Sequence, residues 1–422
     1  MIIYKPKIKK NKDNIIIYSD IEFDNPKFQN LKKLWYQFPK SHEKFISNRS
    51  DGFLVALLPT AMSINEDLEI KGTISPKLRR GLEECQEIWA TWWPEKFKRI
   101  KIKCENLKKH ESKGKYIASC FSGGVDSFHT LYSFLNDSDP DYKITHALFI
   151  HGLEISLKYE ENYNVALKSN ESLIKKLNLG ILQSKTNLLD FSKHIPGNCF
   201  GIYTCGVFLA STALILSNKI SKFYIPSGYH YSNLAKEGYH PMTDHLLSTE
   251  SLEIIHHGSS KRRTEKTEFI SKIPETYSRL RVCGIKNIGL KNCCRCEKCL
   301  RTMITLKVQK KLHKYTTFPV KLTRKSIRNF PVNPHSYTFL KEILEYVISK
   351  GRKDIAFDIK YALIRCKVIR FKNKIKRKIK IFEDLELGLK LIWATMWKPS
   401  AYLKKKSKTY RRFVKFVKND NS

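Results

Sequence analysis

Two short stretches hold residues that can do chemistry. The first is Ser-Gly-Gly-Val-Asp-Ser at 122–127, inside SCFSGGVDSFHT. Gly123 and Gly124 can take positive φ and let oxygens approach bare backbone. Successive N–H groups in such a turn form an anion nest, and a following helix N-terminus adds roughly half a positive charge. Ser122 and Ser127 supply hydroxyl donors. Asp126 is out of place beside an anion unless it holds Mg²⁺ or a bridging water. The stretch predicts a loop for a magnesium-bound polyphosphate. It lacks the lysine of the Walker motif, and the chain has no G-x-G-x-x-G for a dinucleotide. The plainer alternative is a strand-to-helix turn with an Asp-Ser cap.

The second stretch is CGIKNIGLKNCCRCEKC at 283–299. Cys293, Cys296 and Cys299 follow C-x-x-C-x-x-C, and Cys283 lies ten positions before the first of them. Four thiolates can close a tetrahedral Zn²⁺ shell. Lys291, Arg295 and Lys298 offset the charge, and Cys294 is left over. Three close thiolates can also hold an iron–sulfur cluster, and a cysteine here could carry sulfur.

These stretches need elements to position them. From 115 onward short apolar runs alternate with helical spacing: KYIASCF, KITHALFIHG, GILQSKT, KFYIPSG and LEIIHHG as strands, with helices between them. That rhythm predicts an α/β fold with a doubly wound parallel sheet over 113–310. The glycine loop then joins the first strand to DSFHTLYSFLN. His151, Gly152 and Glu154 follow the second strand and Ser227 the fourth, where such sheets place a nucleotide crevice. Arg263 and Lys266, one helical turn apart, could reach a phosphate or an acidic substrate. Before this, residues 1–112 predict a small α+β domain. DNIIIYSDIEF, DGFLVALL and KRIKIKCEN have strand-like runs, and SPKLRRGLEECQEIWATWWP has helical spacing. In that helix Leu78, Leu82, Cys85, Ile88 and Trp92 fall on one side.

Residues 311–422 predict a basic, mostly helical extension: 341–422 carry 24 Lys/Arg against 8 Asp/Glu. The whole chain of 422 residues has a formal charge of +38. Such charge favours polyanions, RNA among them, although a lysine-rich genome gives the same composition. The start has no apolar core of signal-peptide length. The apolar segment 201–217 is short for a bilayer and predicts a buried helix. Eleven cysteines without an export signal fit a reducing cytoplasm and a metal site.

SGGVDS resembles the S-G-G-x-D-S loop of the N-type ATP pyrophosphatases, the PP-loop enzymes. The resemblance implies an adenine nucleotide alpha-hydrolase-like fold. It also implies attack of a substrate oxygen on the α-phosphate of ATP, release of pyrophosphate, and displacement of AMP by a nitrogen or sulfur nucleophile. Ser122, Gly123, Gly124, Asp126 and Ser127 would hold pyrophosphate and Mg²⁺. The isolated cysteine followed by C-x-x-C-x-x-C is similar to the zinc site of 7-cyano-7-deazaguanine synthases. NCCRCEKCLRTM, HGLEI and RTEK resemble related PP-loop proteins with an extra N-terminal domain, over about 50–310. That group often has Gly where Cys294 stands and Asp where Glu154 stands. The expected function is an ATP-dependent ligase that adenylates a carbonyl, carboxylate or amide oxygen of a small molecule or sugar. A tRNA-modifying enzyme and a non-catalytic nucleotide-binding protein are the alternatives.

Overall fold

A computed structural model of the protein describes residues 1–197, 200–284, 289–333 and 336–397. The strands are β1 (Ile2–Ile3), β2 (Lys7–Lys10), β3 (Asn14–Glu22), β4 (Lys33–Pro39), β5 (Leu68–Ile74), β6 (Ile102–Leu107), β7 (Tyr116–Cys120), β8 (His146–His151), β9 (Gly180–Thr186), β10 (Ile220–Pro226) and β11 (Glu253–His257). The helices are α1 (Asp51–Ile64), α2 (Pro76–Trp92), α3 (Val125–Phe134), α4 (Glu160–Lys176), α5 (Leu188–Ser192), α6 (Phe200–Tyr203), α7 (Cys205–Ile215), α8 (Arg263–Ile270), α9 (Glu297–Val308), α10 (Arg324–Arg328), α11 (Ser336–Ser349) and α12 (Lys353–Trp397).

The five expected apolar runs form β7 to β11, a parallel block in the order β11-β10-β7-β8-β9. Successive side chains on a strand face opposite ways, and both faces here are buried. Ala118, Leu148, Phe223 and Ile254 belong to one apolar core together with α1, α2 and α7. Ile117, Ala147 and Tyr224 belong to a second, with α3, α8, α9, α11 and the start of α12. The chain winds outward through β7, β8 and β9, then returns to β10 beside β7. The crevice of such a sheet opens between those two strands, above the Ser122 loop and Ser227.

The sheet does not stop at the parallel block. Tyr36 and Gln37 of β4 pair antiparallel with Thr186 and Lys185 of β9. The sheet then continues through β3, β1, β5 and β6, with β2 also on β3, giving eleven strands, mostly parallel. Residues 1–112 therefore extend the same sheet and share its first core. β3 alternates buried and half-buried side chains along its length, as a strand with two unequal faces should.

Two local expectations change. DGFLVALL lies in helix α1, not a strand. Nearly every side chain of α1 is buried, so its apolar run has no polar face to reveal a helical period. In α2 the buried seam runs Leu78, Leu82, Cys85, Trp89; Ile88 and Trp92 are only partly buried. The cap is as expected: Ser75 Oγ accepts from Leu78 N at 3.0 Å, with Pro76 in the first turn. The apolar segment at 201–217 contains the buried helix α7. Among the described residues no helix is long and apolar enough to cross a membrane. The last basic stretch, 404–418, lies outside the described residues.

Candidate functional site

The glycine loop joins β7 to α3 at the crevice. Phe121 N donates to Leu148 O at 2.8 Å, which fixes the strand end. Gly123 has φ of 76°, a region that favours glycine. Ser127 turns inward: its Oγ donates to Gly124 O at 3.0 Å and accepts from Gly124 N at 3.1 Å. Ser122 Oγ lies 3.5 Å from Ser127 Oγ.

Asp126 meets α8. One carboxylate oxygen bonds Arg263 Nη1. The other, Oδ1, is 3.5 Å from Lys266 Nζ and has no hydrogen bond. Burial alone would raise this carboxyl, but Arg263, Lys266 and Arg301 outweigh it and hold it below the ordinary value. Lys266 is 1% exposed and donates to Ser227 O at 2.6 Å. Burial pushes its ammonium down, with Asp126 opposing. Ser227 is set by a relay: its Oγ is 2.7 Å from Ser259 Oγ, which is 2.9 Å from His256 Nε2, and His256 Nδ1 is 2.7 Å from Asp244. Both serines are buried and bonded to each other, so the relay positions the Ser227 carbonyl. The spacing of Arg263 and Lys266 thus does bring both cations to the loop.

Two arginines escaped the sequence reading. Arg281 N donates to Gly123 O at 2.8 Å. Its guanidinium donates to Ser122 O at 2.9 Å and to Glu154 Oε2 at 3.0 Å. Arg301 stacks over the Phe339 ring, 4.2 Å from its centroid, and lies 3.1 Å from Glu297. Arg263 Nε, Arg281 Nη1 and Arg301 Nη1 are buried and have no hydrogen-bond partner. An unfilled buried donor is costly, and a charged one more so. Guanidinium forks suit carboxylate and phosphate oxygens. Such donors around the glycine loop could hold an anion.

Arg301 also lies beside a buried acid. Glu237 is buried, and burial pushes its carboxyl up to about 7 against hydrogen bonds from Tyr229 and Tyr239 and the charges of Lys298 and Arg301. A carboxyl of this kind can hold or take a proton near neutrality. Glu237 has no motif around it, and only folding shows its neighbours.

The cysteines converge. The Sγ atoms of Cys283, Cys293, Cys296 and Cys299 all lie within 4.8 Å of one another. Neighbouring pairs are 3.4, 3.7 and 3.8 Å apart. A tetrahedral Zn(Cys)₄ shell with Zn–S of about 2.3 Å has S–S edges of about 3.8 Å. The four thiols therefore could bind a metal such as zinc. Buried Asn292 ties the two segments together: its Oδ1 accepts from Val282 N at 2.9 Å and Cys283 N at 3.2 Å, and its Nδ2 donates to Leu280 O at 2.8 Å. Cys294 stands outside the group, with φ of 58° and its sulfur on Asn292 O at 3.4 Å. That left-handed backbone is one glycine tolerates best. Arg281 precedes Cys283 by two residues, and Arg301 follows Cys299 by two. A metal held by the four thiols would join the two segments that carry these arginines.

His151 ends β8 and Gly152 follows it, both in local packing. The His151 ring stacks on Tyr163 at 4.3 Å and its Nε2 is 3.2 Å from Ser156 O. Gly152 has φ of 104°, and a Cβ there would lie 2.0 Å from Thr186 O. Neither makes a hydrogen bond or ion pair with the Asp126 group, whereas Glu154 reaches the loop through Arg281. No family model, curated protein or solved structure matches the chain.

Proposed function

We propose that the chain is an ATP-consuming ligase of the PP-loop type. The observation that carries this is the set of unfilled buried guanidinium donors around a strand–glycine loop–helix turn at the sheet's crevice. The nucleotide's outer phosphates lie against the loop amides, Arg263, Arg281 and Arg301. Asp126 Oδ1, which has no hydrogen bond, is the atom to hold Mg²⁺, and the ion would offset charge on the departing pyrophosphate. An acceptor oxygen attacks the α-phosphorus, and the bond to pyrophosphate breaks. Preorganised donors stabilise the charge that develops on the leaving group. A nitrogen or sulfur nucleophile then attacks the adenylated carbon, loses its proton, and displaces AMP. Glu237, beside Arg301 and Lys298, is placed to take that proton. The enclosure of Glu237 and Arg301 supports a small anionic or polar acceptor. Zn²⁺ in the four-cysteine cage would brace the Arg281 and Arg301 segments without touching the chemistry.

The test is ATP-to-AMP turnover with pyrophosphate release, screened over small carboxylates, amides and sugars, and over bulk tRNA. An active acceptor should lose about 100-fold in rate with Asp126→Ala. Release of inorganic phosphate instead of pyrophosphate, or turnover indifferent to Asp126, removes the reading.

A further inference from the structure

Helix α12 is 45 residues long, about 67 Å at 1.5 Å per residue. Its first turns pack on α10 and α11 through Ile355, Ile359, Ala362 and Cys366. The opposite side carries Phe357, Tyr361, Ile364, Val368, Phe371 and Ile375. Their spacing alternates four and three residues, which puts all six on one stripe. They are between 41% and 65% exposed. Beyond Cys366 no side chain through Ile375 is buried. In sequence the same spacing continues through Phe382, Leu385, Leu389, Ile392 and Met396, broken once by Lys378.

Between Asp358 and Glu383 every charged residue beside this stripe is basic. Lys360, Arg365, Lys367, Lys372 and Lys374 each stand one residue from a stripe position, and Arg370 adds to them. No Asp or Glu occurs between Asp358 and Glu383. Asp358 is itself buried, and it is engaged by Arg324 and Arg328.

We propose that this face of α12 docks on an anionic lipid surface. Large apolar side chains on one stripe, edged by cations and lacking acids, are what a helix lying in a membrane interface needs. The apolar groups enter the acyl boundary, and the lysine stems reach outward to the headgroups. A second copy of the chain fits less well. Pairing stripe to stripe would set Lys and Arg rows against each other at the positions that choose coiled-coil partners. A nucleic-acid backbone would satisfy the cations and leave the six apolar side chains in water.

The experiment is co-sedimentation of the full chain with vesicles of phosphatidylcholine alone or with added phosphatidylglycerol. Binding should require phosphatidylglycerol and weaken with salt. Ile364→Glu and Phe371→Glu should each lower it at least about tenfold, with the thermal midpoint unchanged because both side chains are exposed. Lys367→Ala with Lys374→Ala should lower it by a smaller factor. Three outcomes overturn the proposal. One is failure to bind either vesicle. The second is binding that Phe371→Glu leaves intact, which assigns it to net charge alone. The third is a dimer in light scattering that Phe371→Glu dissociates while vesicles stay unbound, which gives the stripe to a second copy.

Discussion

Asp51 and Asp126 are both acids bonded to an arginine, yet they are wired differently. Asp51 has both oxygens filled: Arg49 Nε at 2.7 Å and His110 Nε2 at 3.2 Å on one, Ser75 N at 2.7 Å on the other. Glu66, past the other end of α1, is just as complete, taking Asp24 N, Asn25 N and the N-terminal ammonium. Around Asp126 the account stays open. One oxygen and four guanidinium nitrogens lack hydrogen bonds. Buried charge that is fully partnered ties segments together. Buried charge with atoms left over is arranged for something that arrives later. The β1–β6 side of the sheet holds the first kind, and the carboxyl edge of β7 to β11 holds the second.

Removing one partner should separate the two kinds most sharply. Asp51→Ala leaves Arg49 without its carboxylate and should cost about 3–5 kcal/mol in urea unfolding, with anion binding of the folded chain unchanged. Arg301→Met should do the reverse. Pyrophosphate or magnesium-ATP affinity should fall about 100-fold, roughly 2.7 kcal/mol, while the unliganded chain should lose less than with Asp51→Ala, giving up only the 3.1 Å pair with Glu297. A loss of stability on the scale of Asp51→Ala would erase the distinction.

Glu237 gives a pH version of the same contrast. Its folded carboxyl sits near 7, above the ordinary 4.5. Between those values the folded chain keeps a proton that the unfolded chain has released. Stability from this group therefore falls as pH rises from 4.5 to about 7 and stays low above. Glu237→Gln should be more stable than the parent at pH 8, on the order of 2 kcal/mol, and equal to it below pH 4.5. The smallest effect belongs to exposed pairs: Lys7→Ala, which loses a 2.9 Å contact with Asp20, should leave the urea midpoint where it was.

Local signals carried far in this chain and then stopped at a definite point. Five apolar runs, a glycine turn and C-x-x-C-x-x-C are periodic or contiguous, so β7 to β11, the loop and the four-thiol group were legible. Arg263 and Lys266 were legible as a helical pair. α1 was not, because a helix buried all round shows no period. The β4–β9 pairing joins residues about 150 apart, and no local pattern encodes it. Arg281, Arg301 and Glu237 were invisible for another reason. Each is an ordinary residue type whose meaning comes from what lies unfilled around it in space.

The four thiols and the two arginines ride on the same short segments. An ion held by the thiols would set both guanidinium groups at the glycine loop in a single event. Chain made while that metal is scarce would still form its sheet, yet leave the ribosome without those arginines set at the loop. Metal supply would then ration working copies of the protein without changing how many are made.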